Sequence, residues 1–326
     1  MEVVLVTGGA GYVGSVVAEE LVRQGYRVVV FDNLQQGHRQ AVVVGTEFVQ
    51  GDVCNVADVE AVFQKFPIDA VIHMAAETVV EYSISDPARY FRTNVVGGVN
   101  LLDVMLKYGV FKIVFSSSAA VYGEPESVPI EESHRTVPVN AYGESKLLFE
   151  RILAWYGCAY GLKHISFRYF NAAGATELLG EDHRPETHLI PNILKVALHR
   201  NGTVSIFGTD YPTKDGTCVR DYVHVVDIAQ AHVLALKKMG SLRGSVYNLG
   251  SGTGFTVLEV VRAAEEVVGE KIPVKLCPRR AGDPAVLVAS WQRARGGLGW
   301  KPQFFELTKI VEDAWRWLKD HPYGYE

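Results

Sequence analysis

The sequence predicts an α/β fold: a doubly wound parallel sheet with a smaller C-terminal lobe. Three observations predict it. Short β-branched runs alternate with helix-length stretches through the first half of the chain. A turn with glycines at positions 8, 11 and 14 joins the first run to the first helical stretch. Beyond Asn171 the alternation gives way to a long irregular passage holding Gly174, Gly180 and Pro185. Strands alternating with helices build a parallel sheet wrapped by helices.

The elements follow in order. Residues 3–7 are a β-branched run that stops at glycine, which reads as a strand, and 12–24 as the helix it feeds. A second strand covers 27–31 and ends on Asp32, and another ends just before Gly51 and Asp52. A helix is predicted over 57–66, a strand over 70–73, and one long helix over 87–108. A strand at 112–116 leads to the serine run at 116–118. A helix at 141–160 and a strand at 163–169 close the regular half. Later, 225–238 and 246–249 look regular again, and part of this region is expected to return to the sheet. Residues 1–170 are therefore expected to form the main domain and 171–326 the lobe, with a soft boundary and chain crossings back.

The 326 residues, 48% hydrophobic and 21% charged, describe a chain with a sizeable folded core. A net charge of −5 supplies no global basic field, so nucleic acid is not the expected partner. Cys54, Cys158, Cys218 and Cys277 lack metal-ligand or CxxC spacing and are expected to be buried, reduced thiols, with no metal site. The apolar start, residues 3–6, is too short for a signal peptide, and no stretch reaches membrane-spanning length. A cytoplasmic protein is expected.

Gly8, Gly11 and Gly14 follow a strand and open a helix, where glycine permits positive φ and close approach of backbone to a pyrophosphate. The spacing is G-x-x-G-x-x-G rather than G-x-G-x-x-G. A carboxylate at Asp32 accepts from both ribose hydroxyls and repels a 2′-phosphate, which favours NAD over NADP. Asp52 stands at another strand end and suits the adenine side. Tyr142 and Lys146 are four residues apart, so one helix face carries both. A lysine ammonium beside a phenol is expected to lower its pKa from about 10 toward a range where tyrosine acts as a base. Ser118, at a strand end, faces the ligand side of such a sheet and can relay a proton. A dinucleotide site, a tyrosine base and a serine hydroxyl read as nicotinamide redox chemistry on an alcohol.

The motifs Gly8-Gly9-Ala10-Gly11-Tyr12-Val13-Gly14, Ser116-Ser117-Ser118-Ala119-Ala120-Val121-Tyr122-Gly123 and Tyr142-Gly143-Glu144-Ser145-Lys146 resemble those of the extended short-chain dehydrogenase/reductases. The blocks at 168–175, 186–191, 206–213, 215–217 and 219–222, with the tail at 321–325, narrow the resemblance to the UDP-glucose 4-epimerases of that family. The resemblance implies a Rossmann domain holding NAD. Tyr12 and Val13 would cover the pyrophosphate, and Asp32, Asn33, Leu34, Gln36 and Gly37 would surround the adenosine ribose. Asp52 and Val53 would flank adenine. Met74, Ala75, Ala76, Thr78 and Asn94 would line the nicotinamide half, with Ser116, Tyr169 and Phe170 beside them. Asn171, His188, Leu189, Ser205, Ile206 and Phe207 would line the UDP site, and Arg220, Arg280 and Asp283 would fix diphosphate and ribose, since arginine forks match phosphate geometry. The implied catalytic set is Ser118, Tyr142 and Lys146, and the implied assembly is a homodimer through the helices at 87–108 and 141–160.

The implied reaction is interconversion of UDP-glucose and UDP-galactose through a transient 4-keto sugar. Related dehydratases and decarboxylases carry an acid just after the serine. This chain has Ala119-Ala120, whose methyl groups transfer no proton. A 4-epimerase of UDP-glucuronate or of a UDP-pentose shares the C4 chemistry and stays an alternative. So, more remotely, does a silent NAD-binding regulatory protein. Leu287 falls where the family can place a tyrosine near the sugar C2 substituent, so tolerance of UDP-N-acetylhexosamines is expected. Two departures from the family are the lack of a lysine in Ala75-Ala76-Glu77-Thr78 and the lack of a capping aspartate at Ser290, itself a competent helix cap.

Overall fold

The computed structural model describes residues 1–241, 245–280 and 283–326. Its strands are β1 (Val3–Thr7), β2 (Arg27–Asp32), β3 (Glu47–Gln50), β4 (Ala70–His73), β5 (Lys112–Ser118) and β6 (Lys163–Tyr169), then β7 (Asn171–Ala173), β8 (Val204–Phe207), β9 (Val219–His224), β10 (Ser245–Leu249), β11 (Gly254–Thr256), β12 (Val274–Cys277) and β13 (Val286–Leu287). Seven of them form one sheet in the order β10-β6-β5-β4-β1-β2-β3. All six pairings are parallel. The winding reverses between β1 and β4, and ligands of doubly wound sheets sit in the crevice at such a switch point.

The period of two along each strand explains the two apolar layers. Val4, Val6, Val28, Val30 and Ile72 face one core, shared with the helices Tyr12–Arg23 and Val225–Lys238. Val3, Leu5, Val29, Phe31 and Val71 face the other, packed by Phe63, Leu101, Met105 and Phe149 from three helices. Both faces are covered, which is why these strands read as continuous apolar runs.

Most predicted elements are found within a residue or two. The long helix over 87–108 is instead three segments: Pro87–Tyr90, a π-helical turn Phe91–Val96, and Gly97–Lys107. Gly97 and Gly98 let this region pack closely, because a Cβ on Gly98 would stand 2.3 Å from Phe149. Strand β10 does return to the main sheet, beside β6. The rest of the second half builds two small sheets, β11-β9-β13 with β7 on β9, and β12-β8.

Three further expectations, apart from those on the cavity lining, fail. Among the cysteines only Cys218 is buried; Cys158 is exposed, and Cys54 and Cys277 lie between, though all four are free thiols. Ser290 caps no helix, since the helix Gln292–Leu298 starts from Trp291 and the Ser290 amide donates to the Ile130 carbonyl at 2.8 Å. The third concerns the tyrosine pKa, described below. Among the described residues no helix is long and apolar enough to cross a membrane.

Candidate active site

A cavity of about 1150 Å³ opens where β1 and β4 part and extends into the second half of the chain. Its walls are built from opposite ends of the sequence.

The first wall is mostly backbone. Gly8 has φ +72°, and a Cβ on Gly14 would stand 2.1 Å from the Gly8 carbonyl oxygen, so the turn tolerates no side chain there. The helix Tyr12–Arg23 starts from Gly11, leaving first-turn amides without intrahelical acceptors at the edge of the cavity. Asp32 accepts from the Ala10 amide at 3.0 Å and the Leu34 amide at 2.9 Å, so it ties the glycine turn to the loop after β2. Burial pushes its carboxyl up, against the pull of those two hydrogen bonds. Each oxygen keeps a lone pair for a further donor. Asn33 donates to Asp52 at 3.1 Å, and Gln35 donates to Glu77 at 3.0 Å. Gly8, Gly11, Tyr12, Val13, Gly14, Asp32, Asn33, Gln36, Gly37, Asp52, Val53, Met74, Ala75, Ala76 and Thr78 all line this wall.

Tyr12 also bridges the walls, donating to the Gly174 carbonyl at 2.6 Å. Burial holds its phenol well above the ordinary range.

At the junction stand Ser118, Tyr142 and Lys146, with Ser116, Tyr169 and Phe170. Lys146 is 2% exposed. Its ammonium donates to the Ser116 carbonyl at 2.8 Å and lies 5.8 Å from the centre of the Tyr142 ring. Burial pushes its pKa down to about 7, with Glu150 pulling the other way. The Tyr142 pKa is raised by burial, and only the hydrogen bond with Ser118 pulls it down. The sequence-based expectation had the opposite sign. Desolvation wins because the lysine directs its ammonium to the Ser116 carbonyl and burial lowers its own pKa. Ser118 caps the turn Ala119–Val121 by accepting from the Ala120 amide at 3.2 Å, and Ala119 and Ala120 face the cavity without any titratable group.

The second wall carries charged side chains that are already paired. Arg220 pairs with the Asp283 carboxylate and donates to its neighbour's carbonyl, that of Val219, at 2.7 Å. Arg280 stacks on Phe207 at 4.1 Å and reaches Glu81 at 3.6 Å across the cavity mouth. His188, with a side chain 56% exposed, has its Nδ1 2.6 Å from Glu181 and 3.3 Å from Glu186, and these carboxylates raise the imidazole pKa above its usual range. Asn171, His188, Leu189, Ser205, Phe207, Arg220, Arg280, Asp283 and Leu287 line the wall.

Three predicted site residues do not line the cavity. Ile206 is fully buried in the core, because β8 alternates and turns Ser205 and Phe207 to the cleft. Leu34, at φ +61°, packs on the core behind its loop. Asn94 is 2% exposed and consumed: its amide donates to the Glu77 carbonyl at 3.1 Å and Ser145 at 2.9 Å, and its oxygen accepts from the Glu77 amide. Gln35 and Glu77, inside the stretches 33–37 and 74–78 that the resemblance implies, also line the cavity, whereas sequence reading missed Glu81, Glu181, His183, Asn192 and Tyr222, all on the lining. The crowding of acids and histidines between 181 and 188 was the available signal.

A dinucleotide fits the first wall on an observation of the chain itself: a turn that a Cβ would fill, set at a helix N-terminus below a ribose-side carboxylate. The family model described as "NAD dependent epimerase/dehydratase family" matches residues 4–250. The UDP-glucose 4-epimerase of Lacticaseibacillus casei is 50% identical over 325 residues, covering 99% of this chain and 98% of its own. The crystal structure of UDP-glucose 4-epimerase from Brucella ovis in complex with NAD matches with a TM-score of 0.93 at 43% identity, covering 97% of this chain and 98% of that one. That from Bifidobacterium longum in complex with NAD+ and UDP gives 0.94 at 39% identity, covering 99% of each. On this similarity, which runs nearly end to end, and on the sheet and cleft described above, the chain belongs to the NAD-dependent epimerase/dehydratase family.

Proposed function

We propose that this chain interconverts UDP-glucose and UDP-galactose, using bound NAD. The observation that carries the reading is the junction itself. A tyrosine hydroxyl, a serine hydroxyl and a buried lysine meet between a backbone-lined wall and a wall of paired charges, and the two positions after the serine hold alanines. Oxidation at a carbinol has its proton acceptor there, whereas loss of water or carbon dioxide has no added acid.

The glycine turn, Asp32, Asn33 and Asp52 would hold the adenosine and pyrophosphate, and Met74, Ala75, Ala76 and Thr78 the nicotinamide half. When bound, oxidised NAD supplies an electrophilic, positively charged ring that takes the C4 hydride and returns it, and that charge favours phenolate. Tyr142 removes the 4-hydroxyl proton of the hexose as the C4–H bond breaks, with Ser118 as hydrogen-bond partner to phenol and substrate oxygen. Lys146, which donates to the Ser116 carbonyl, would steady the phenolate and a ribose hydroxyl. Arg220, Arg280 and Asp283 grip the diphosphate and ribose, with Asn171, Leu189 and Ser205 to Phe207 around the uridine. The 4-keto sugar would stay tethered through its UDP, leaving its ring free to present the other face. Reversal of both transfers then inverts C4 with no net redox change, and binding energy from the remote nucleotide retains the intermediate meanwhile.

Leu287 on the sugar side supports tolerance of UDP-N-acetylhexosamines. Exposed Val96, Trp155 and Tyr160 on the two candidate helices support a homodimer, and four free thiols suit a cytoplasmic protein. Incubation with UDP-glucose, UDP-galactose, UDP-glucuronate, UDP-xylose and UDP-N-acetylglucosamine, followed by separation of products, tests the reading. Turnover confined to the acid or pentose would replace the substrate, and bound NAD with no turnover of any of them would overturn the reaction.

A further inference from the structure

The strap between β7 and the helix Leu189–His199 brings together four side chains that the proposed chemistry does not use as a group. Glu181, His183, Glu186 and the exposed His188 each bring one potential ligand atom to a cluster in which these atoms lie within 4.8 Å of one another. His183 Nδ1 is 3.1 Å from Glu181 Oε1 and 4.0 Å from Glu186 Oε2. His188 Nδ1 is 2.6 Å from the same Glu181 oxygen and 3.3 Å from Glu186 Oε1.

Glu186 supplies the independent observation. Its side chain is 6% exposed, and its Oε1 accepts from the Thr187 and His188 amides at 2.8 and 2.9 Å. Oε2 is buried with no hydrogen-bond partner, its nearest cation being Lys195 at 3.8 Å. A buried carboxylate oxygen left this way calls for a cation.

We propose that these four residues bind one first-row divalent cation of the zinc type. Bonds of about 2.0–2.2 Å from a tetrahedral centre set ligand atoms ~3.3–3.6 Å apart, the spacing that the distances above straddle. Two imidazole nitrogens and two carboxylate oxygens suit such an ion, and the carboxylates neutralise its charge. Four protein ligands close the shell, so the ion is structural. It fixes the strap that carries His188 and Leu189 to the cavity wall beside Tyr12, whose ring meets His183 edge-on at 6.3 Å. The proposal does not depend on which sugar is turned over.

The test uses the untagged full-length chain, stripped with a chelator and titrated with zinc alone and with cobalt(II) alone. One zinc per chain, and cobalt absorption of tetrahedral intensity, are expected. His183→Gln and Glu186→Gln should each weaken zinc binding by at least roughly tenfold. The cobalt spectrum needs no variant, so a poorly folding substitution leaves the proposal exposed. Octahedral cobalt bands, zinc uptake below one per chain, or affinity unchanged in a folded Glu186→Gln protein would each overturn it. In that case the cluster is only a set of imidazolium–carboxylate pairs.

Discussion

The first wall of the cleft hangs from β1, β2, β4 and β5 and offers backbone amides fixed by a tight turn. The opposite wall hangs from short strands and a strap, and its arginines are already paired: Arg220 with Asp283 and Arg280 with Glu81. A ligand meeting the first wall fills a cradle that needs no rearrangement. A ligand meeting the second must exchange partners with ion pairs inside the site. The first arrangement suits a cofactor kept through many turnovers, the second a substrate that must leave.

The contrast can be broken at the junction, where both walls contribute. Tyr142→Phe should lower kcat by about a hundredfold to ten-thousandfold while bound NAD, measured by absorbance after denaturation, stays stoichiometric. Loss of cofactor instead would mean that the hydroxyl serves the first wall. Gly14→Ala attacks that wall alone. Its Cβ meets the Gly8 carbonyl oxygen at 2.1 Å, so NAD should be lost and stability should fall by ~1–3 kcal/mol in denaturant titration. Arg220→Met attacks only the second wall, and KM for UDP-glucose should rise about tenfold to a hundredfold with NAD content unchanged. Equal losses of NAD in these two variants would dissolve the distinction.

Lys146 sharpens the comparison through pH. Its folded pKa of about 7 lies below the usual lysine value, so the folded state binds fewer protons than the unfolded one between the two. Stability therefore rises as pH climbs through that window, and the burial penalty is full below it. Lys146→Met should be inactive, yet more stable than wild type by ~1–4 kcal/mol near pH 6, with the gap closing toward about pH 10. Thermal melts at both ends of the window check it. A gap that widens with pH contradicts the assignment. The smallest effect is expected for Leu287→Tyr, which should lower the turnover ratio of UDP-N-acetylglucosamine to UDP-glucose by roughly tenfold or less.

The sheet and the first wall were legible because their signals are local. A β-branched run, a glycine turn and an acid at the next strand end lie within Val3–Thr7 and the residues up to Asp32, and together they narrow each other's reading. The second wall was legible mainly as sequence blocks, and blocks do not say which side chains face inward. Ile206 sits in the most distinctive of them and still points into the core, since alternation along β8 decides its direction. Asn94 fails for another reason, being spent on Glu77 and Ser145 across a π-helical turn that no helical period announces. The sign of the Tyr142 shift depends on how deeply the phenol is buried and on a carbonyl thirty positions before Lys146, neither of which spacing reveals.

Strand β10 carries a consequence for how this architecture is inherited. It reaches β6 only after the chain has built much of the smaller lobe, and the helix before it covers the one that opens at Tyr12. A gene segment ending near residue 170 would encode a sheet whose last strand, Lys163–Tyr169, is an unprotected border inviting other chains. The two halves therefore cannot be exchanged as separate cassettes, and new specificities on this scaffold are expected to arise by substitution along the strap and short strands rather than by swapping lobes.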